Sequence, residues 1–373
     1  MSAQAVARRV ATRPAKLVAR GLVSARTARW PDHSRLFAVG DGGGWSVEED
    51  AEHLMATAQR LGYSVAPAGW ARFASQQSVF LTSHFEALTS RWLDSSHRLA
   101  TAYLHGRPGT PGAPEFDDCF EALRRRADRI ARIQVTHEEM HALVLSAGVD
   151  PDRVFRIPLG IDLEHFPRVD ADGRTRAREH LGVPESAFVV GSFQKDGVGW
   201  GEGLEPKLIK GPDILVAALE QLHAQMPELY VLLTGPARGY VRRELGRLAI
   251  PHSHVRPRAR GELAGAYRAL DVYLVSSRQE GGPKSVLEAM ASGVPIVSTR
   301  VGQAQELVEH GRNGWLVDVE DAEGLARHAA EVRDGAGAPV LDAGRATTER
   351  HALQRLDDLW AKLLDGFVAE KGR

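Results

Sequence analysis

From Leu36 onward, short apolar runs rich in β-branched residues alternate with longer segments of helical period, and this alternation limits the fold more than any other feature of the chain. RLFAVG precedes a helix from about Val47, VFLTS a helix through LATAYLH, and RIQVT the helix HEEMHALVLSAGV. RVFRIPLGI then runs into a polar stretch, EHFPRVDADGRTRAREH. A second series follows: FVVGSF, the helix PDILVAALEQLHAQM, YVLLTG, a helix through VRRELGRLAI, VYLVSS, a helix after Gly282, and PIVSTR. Strands joined by crossover helices pair in parallel, so each series predicts one doubly wound α/β domain. The expected division is a basic tail over 1–31, a Rossmann-like domain over 32–160 and a linker over 161–175. A second Rossmann-like domain over 176–340 follows, then a helical segment over 341–373 that packs back on the first domain.

The 373 residues are 43% hydrophobic and 25% charged, with a formal net charge of −1, so nothing in the overall balance recommends nucleic acid as a partner. The single cysteine, Cys119, cannot form an internal disulfide; it lies beside Asp117 and Asp118 and reads as packing. With no apolar run long enough for a membrane span, the expected location is cytoplasmic. Residues 1–31 differ from the rest: they carry seven Arg or Lys and no acid, with valines and leucines interspersed. Such a segment could lie peripherally on an anionic membrane surface, but its apolar face is thin and interrupted by Pro14, which favours a solvated basic tail.

QEGGPKSVLEAMASG, Gln279 to Gly293, lies between two strand-like runs. Pro283 suits the first helical position, Val286, Leu287 and Met290 share a face, and Gly293 with Pro295 ends the helix. Glu280 therefore precedes the helix and Glu288 lies within it. The N–H groups of Gly282, Lys284 and Ser285 at its start favour an anion such as phosphate. Carboxylates repel phosphate, so Glu280 and Glu288 are expected to accept hydrogen bonds from neutral hydroxyls on either side of it, as a sugar would offer. The same spacing also suits a turn acid and a surface glutamate on an ordinary buried βαβ helix.

Three other motifs compete. GDGGGW, after the first strand, begins like a dinucleotide fingerprint but has Trp45 where the last glycine belongs. The next strand, YSVAPA, ends without the acid that would hold a ribose. What remains is a backbone-lined loop, with Gly43 and Gly44 able to approach a ligand closely and Ser46 and Glu49 forming a capping box. HEEMH matches H-E-x-x-H, which on one helix face would present His137 and His141 to zinc with Glu138 as base. It follows a buried-looking strand and has no downstream third ligand, so a zinc peptidase stands only as the alternative. DAD, Asp170 to Asp172, matches a D-x-D metal pattern but sits in the polar stretch, where it reads as a solvated turn.

IQVTHEEMHALVLSAGVDPDRVFRIPLGIDLEHF resembles the interdomain passage of retaining family 4 glycosyltransferases of GT-B fold, where a strand and a helix lead to IPxGxDxxxF; here those are Pro158, Gly160, Asp162 and Phe166. The family's E-x7-E segment is matched by Glu280 and Glu288, and Glu306 and GRNGWLV agree downstream. The resemblance runs from about Leu36 to Val332 and is weaker in the first, acceptor-side half. It implies a GT-B fold, two Rossmann-like domains facing a central cleft. It also implies metal-independent transfer of a hexose from a nucleoside-diphosphate sugar to a glycan, lipid-linked or small-molecule acceptor, without a cofactor. By the same resemblance Glu280 touches the donor sugar, backbone N–H groups about Gly281, Gly282, Lys284 and Ser285 hold sugar or phosphate oxygens, and Glu288 accepts from the ribose. Lys210 matches the lysine of a K-G step on the diphosphate. The arginine that the family places just after the first strand of the second domain is replaced by Ser192, and its charge is assigned to Lys195, with Lys207 in reserve. His105, in an HG step, matches a histidine near the reacting sugar. The missing arginine keeps a third reading open, a relative that binds sugar nucleotide without turnover.

Overall fold

The computed structural model describes residue 23, residues 27–40 and residues 46–370. They form two compact units, one of residues up to Ile157 together with Asp357 onward, the other Pro158–Leu356. Most of the basic tail, and the loop that holds Gly43 and Gly44, lie outside the described residues.

The first unit is built on a parallel sheet of β1 (Leu36–Val39), β2 (Ser78–Leu81), β3 (Arg98–Ala102), β4 (Ile130–Val135) and β5 (Val154–Arg156), in that order. Val65 adds a one-residue parallel bridge to Leu36, on the far side of β1 from β2, and is all that forms of the expected strand YSVAPA. The chain thus leaves β1, returns on its outer side, and crosses to β2, which makes β1 and β2 the point where the winding direction reverses. The alternation of strand residues sorts the two faces. Leu36, Ala38 and Phe80 pack with Leu54 and Ala58 of the helix Ser46–Arg60, whereas Phe37, Val79 and Leu81 pack with Leu88, Leu123 and Met140 from the other helices. LATAYLH, expected as a helix, is instead β3 and its exit: Leu99 and Ala100 are fully buried on opposite faces of a central strand, which overrides the helical preference of Ala and Leu. Leu363, Leu364, Phe367 and Val368 complete the face of Leu36, and Ser78 Oγ donates to the Phe367 carbonyl at 2.5 Å.

The second unit contains β6 (Phe188–Phe193), β7 (Leu229–Thr234), β8 (His252–His254), β9 (Val272–Val275), β10 (Ile296–Thr299) and β11 (Trp315–Val317), ordered β8-β7-β6-β9-β10-β11 and parallel throughout. This is the doubly wound order with one reversal, between β6 and β9, and such sheets bind ligands outside the strand carboxyl ends at that point. β8 is a polar edge strand that alternation does not reveal.

The segment over 161–175, expected as a linker, is structured. Ile161 pairs with Ala352 in a short bridge, and Asp170 caps the helix Ala171–Leu181 by accepting from the Gly173 N–H at 2.7 Å. That helix looks polar all round, but Arg178 is buried, with its guanidinium 2.7 Å from Asp271. Residues 341–356 group with the second unit, so the second break falls between Leu356 and Asp357.

Candidate functional site at the reversal point of the second sheet

β6 ends at Phe193 and β9 at Val275, and the segments that follow carry the chemistry. Lys210 Nζ donates to Glu280 Oε2 at 2.6 Å, and Ser277 Oγ donates to Glu280 Oε1 at 2.8 Å. Both oxygens of a carboxylate only 11% exposed are thereby engaged. The framework behind them leaves no room for side chains. A Cβ on Gly211, whose φ is +59°, would lie 1.8 Å from the Ser276 carbonyl oxygen; one on Gly302, φ +47°, would lie 2.4 Å from that of Glu280. Glycine at both positions lets three backbone segments meet beneath the carboxylate.

The helix runs Lys284–Ala291, so Pro283 stands at its N-cap rather than inside it, and Gly293 ends it at φ +74°. The N–H groups of Lys284 and Ser285 fall in the first turn, where helices have no internal acceptors. Glu288 accepts from the Tyr267 hydroxyl at 2.7 Å, and the Tyr267 ring packs 4.8 Å from Phe193 at the end of β6. Burial first, then the Glu288 charge, holds the Tyr267 phenol well above its ordinary range, so it remains a donor.

Lys195 and Lys207 lie at the two ends of one hairpin, tied where Gly197 pairs with Pro206 and the Lys207 N–H donates to the Asp196 carbonyl at 2.7 Å. Lys195 Nζ donates to the Gly197 carbonyl at 3.2 Å and lies 4.9 Å from the centre of the Trp200 ring. Burial, then the charge of Lys210, lowers its pKa, which places the two ammonium groups in each other's field. Ser192 is not left without a guanidinium. Arg238, fully buried, donates to the carbonyls of Ser192 (2.6 Å), Gln194 and Thr234 (both 3.0 Å) and pairs with buried Asp196 at 3.0 Å.

Beyond β2 and β3 the first unit packs rings against one another. The His105 ring, just beyond β3, is met edge-on by His84 (5.5 Å), Phe85 (5.6 Å) and Phe116 (5.6 Å). His84 is stacked 4.2 Å from Tyr103, and its buried Nε2 has no hydrogen-bond partner. Burial, then the His105 charge, takes the His84 pKa well below 6.5.

The family model for Glycosyl transferases group 1 matches residues 202–334. A D-inositol 3-phosphate glycosyltransferase of Xylanimonas cellulosilytica is 36% identical over 257 residues, covering 64% of this chain and 56% of that protein. D-inositol 3-phosphate glycosyltransferase 1 of Catenulispora acidiphila is 33% identical over 297 residues, covering 74% and 65%. The second unit carries a group 1 glycosyltransferase domain. The chain spans between about half and two thirds of the length of these curated relatives. Among solved structures, Anabaena Alr3699/HepE in complex with UDP and glucose superposes with a TM-score of 0.71 at 18% identity, covering 89% of this chain and 99% of that one. The sucrose-phosphate synthase of Thermosynechococcus elongatus gives 0.64 at 20% identity, covering 77% and 73%. These two likenesses establish the GT-B fold.

Sequence reasoning brought Glu280 and Lys210 to one place but missed the groups packed around the site. Ser277 stands three residues before Glu280 on the same segment, a spacing within reach of the sequence, whereas Tyr267, which holds Glu288, and the Asp196–Arg238 pair come from other elements. The zinc alternative fails on geometry. His137 is the extended N-cap of the helix Glu138–Ser146, not part of its face, and its Nδ1 lies 2.9 Å from Thr136 Oγ1. Glu138 is taken by Arg156 at 3.1 Å, and among the described residues no cluster of three or more His, Cys, Asp or Glu is arranged for a metal. Asp170 is a helix cap, as above. Cys119 is buried, its thiol pushed up to about 12 by burial and then by Asp118 and Glu115. No helix among the described residues is long and apolar enough to cross a membrane.

Proposed function

We propose that the chain is a retaining glycosyltransferase that moves a hexose from a nucleoside-diphosphate sugar to an acceptor hydroxyl without a metal. The observation that carries this reading is the Lys210–Glu280–Ser277 group at the reversal point of the second sheet. A carboxylate that already receives an ammonium and a hydroxyl is arranged to receive sugar hydroxyls, while the ammonium turns to the diphosphate. The bond from the anomeric carbon to the departing phosphate oxygen breaks, and its electron pair leaves with the nucleoside diphosphate. The acceptor oxygen bonds to the same face of that carbon, and its proton passes to a departing phosphate oxygen. Lys210, Lys195 and the first turn of the helix Lys284–Ala291 stabilise the charge that develops, so the reaction as proposed needs no divalent cation. Glu288, oriented by Tyr267, holds the ribose.

UDP-bound HepE supports a uridine nucleotide as donor, and the name of the curated relatives supports a small phosphorylated polyol as acceptor. The family match lies wholly within the second unit, so support for the donor side is the stronger. The test is transfer from a panel of uridine-diphosphate hexoses to D-myo-inositol 3-phosphate in EDTA, with the product's anomeric coupling read by NMR. Turnover in chelator with retained configuration is expected. Inverted product, or turnover that EDTA abolishes and Mg²⁺ or Mn²⁺ restores, overturns the reading.

A further inference from the structure

Among the described residues, five large hydrophobic side chains are exposed, and four of them, Val198, Trp200, Leu204 and Leu208, belong to the hairpin after β6 and its exit; Trp200 is 64% exposed. An apolar patch collected on one short segment usually marks a binding surface. This one is held firmly. The carbonyls of Glu202 and Gly203 accept from the Gly239 and Tyr240 N–H groups at 2.7 and 2.8 Å, the strands of the hairpin bond to each other, and the Asp196–Arg238 pair is buried beneath. Rigid display of an indole removes the ordering loss that a mobile loop would suffer on binding.

The surroundings of Trp200 select among occupants. Exposed Glu202 and Glu205 lie on the same hairpin and disfavour an anionic membrane, since each carboxylate would face like charge. A hairpin that offers an exposed aromatic face and two exposed carboxylates suits a neutral, hydroxyl-rich ring: carbon-bound hydrogens lie on the indole, hydroxyls donate to the carboxylates. One face of Trp200 meets Lys195, whose charge acts on Lys210, the partner of Glu280. Gln194, the neighbour of Lys195 in the chain, donates to the Lys210 carbonyl at 3.0 Å, so Trp200 stacks one side chain outward from the segment that meets Lys210.

We propose that the 197–206 hairpin is a platform for the acceptor's sugar or polyol ring, stacked on Trp200 and hydrogen-bonded by Glu202 and Glu205. This rests on the glycosyltransferase reading above, from which its test is separable. UDP-saturated full-length protein is titrated calorimetrically with two neutral probes, methyl α-D-glucoside and myo-inositol, in wild type, Trp200→Ala, Trp200→Phe and the double variant Glu202→Gln/Glu205→Gln. At least one probe should bind wild type. Trp200→Ala should weaken it ten-fold or more, Trp200→Phe less than about three-fold, and the double variant in between, while UDP affinity stays within two-fold throughout. Wild type that binds UDP but neither probe, or equal probe affinity in Trp200→Ala, overturns the platform alone. Loss of UDP affinity in Trp200→Ala overturns it in favour of a support for Lys195. Co-sedimentation with phosphatidylcholine vesicles that Trp200→Ala abolishes overturns it in favour of a lipid surface. Wild type that binds no nucleoside diphosphate overturns both readings.

Discussion

The strand ends of the two sheets solve different problems with different side chains. Those of the second unit are wired by ions: Lys210 with Glu280, Arg238 with Asp196, Lys195 in the field of Lys210. Beyond β2 and β3 the first unit instead packs rings, His84, Phe85, His105 and Phe116, and burial opposes the charged form of His84. An ion-wired site suits a ligand that carries charge and develops more of it on leaving, because the counter-charges are in place before the reaction begins. A ring-packed site suits a neutral partner, and fixes one imidazole through packing with no ion pair needed.

If ions organise the second site, their removal should be severe, and the largest loss should follow Arg238→Met. Asp196 would then be a fully buried carboxylate without a cation, and breaking such a pair costs about 3–5 kcal/mol. Urea unfolding followed by tryptophan fluorescence should show it, and a variant as stable as wild type would break the comparison at its strongest point. The double variant Arg238→Met/Asp196→Leu should recover part of the loss, since no buried charge remains.

The two glutamates come next. Glu280→Gln removes the charged partner of Lys210, which then has the diphosphate as its remaining anion; nucleoside diphosphate affinity should hold or improve while kcat falls roughly ten- to a hundred-fold, the equivalent of about 1.5–3 kcal/mol. Glu288→Gln should instead weaken the free nucleoside diphosphate and the intact donor together. Calorimetry alongside turnover in both variants separates them; if both behave like wild type, the carboxylates are structural.

Why the donor half was legible and the other half less so follows from how each is encoded. Glu280, Lys284, Ser285 and Glu288 lie on one turn and one helix, so local physics places them together, and β6, β7, β9 and β10 are apolar enough to read directly. Tyr267 and Arg238 reach the same place from other elements, through tertiary packing that no spacing announces. In the first unit the signals conflict. Leu99, Ala100 and Ala102 favour helix locally yet are buried as a central strand, and His84 carries no motif at all. The helix Ala171–Leu181 is hard to read for a related reason, since its one buried side chain is Arg178 and only Ala177 and Leu181 add apolar contact with the core.

A smaller effect distinguishes the two lysines of the hairpin. Lys195 lies within the field of Lys210, whereas Lys207 is tied to the hairpin base through its backbone, so Lys195→Ala should weaken nucleoside diphosphate binding about ten-fold and Lys207→Ala little. The reverse order would assign the missing arginine's charge to Lys207.

The ring-packed site should betray itself through pH, and this effect is the smallest. His84 is fully buried between Phe85 and Tyr103, and burial, followed by the His105 charge, lowers its pKa well below 6.5. In the folded chain it therefore binds fewer protons than in the unfolded chain at mildly acidic pH. Its contribution is fully present above about 6.5, the unfolded value, and is lost as pH falls from there toward the folded value, at no more than about 1.4 kcal/mol per pH unit. His97, also lowered chiefly by burial, adds to the slope in the same direction. Substitution of His84 by Phe or Leu removes one titrating group whatever it does to packing, so both variants should lose less stability than wild type between pH 7.5 and 5.5, even if each starts lower. Carboxylates scarcely titrate in that interval, which leaves histidines to set the difference. Urea unfolding at the two pH values reads the slopes. Parallel losses in all three proteins would mean that His84 titrates in the folded chain as it does unfolded, and that the rings around His105 form no barrier to charge.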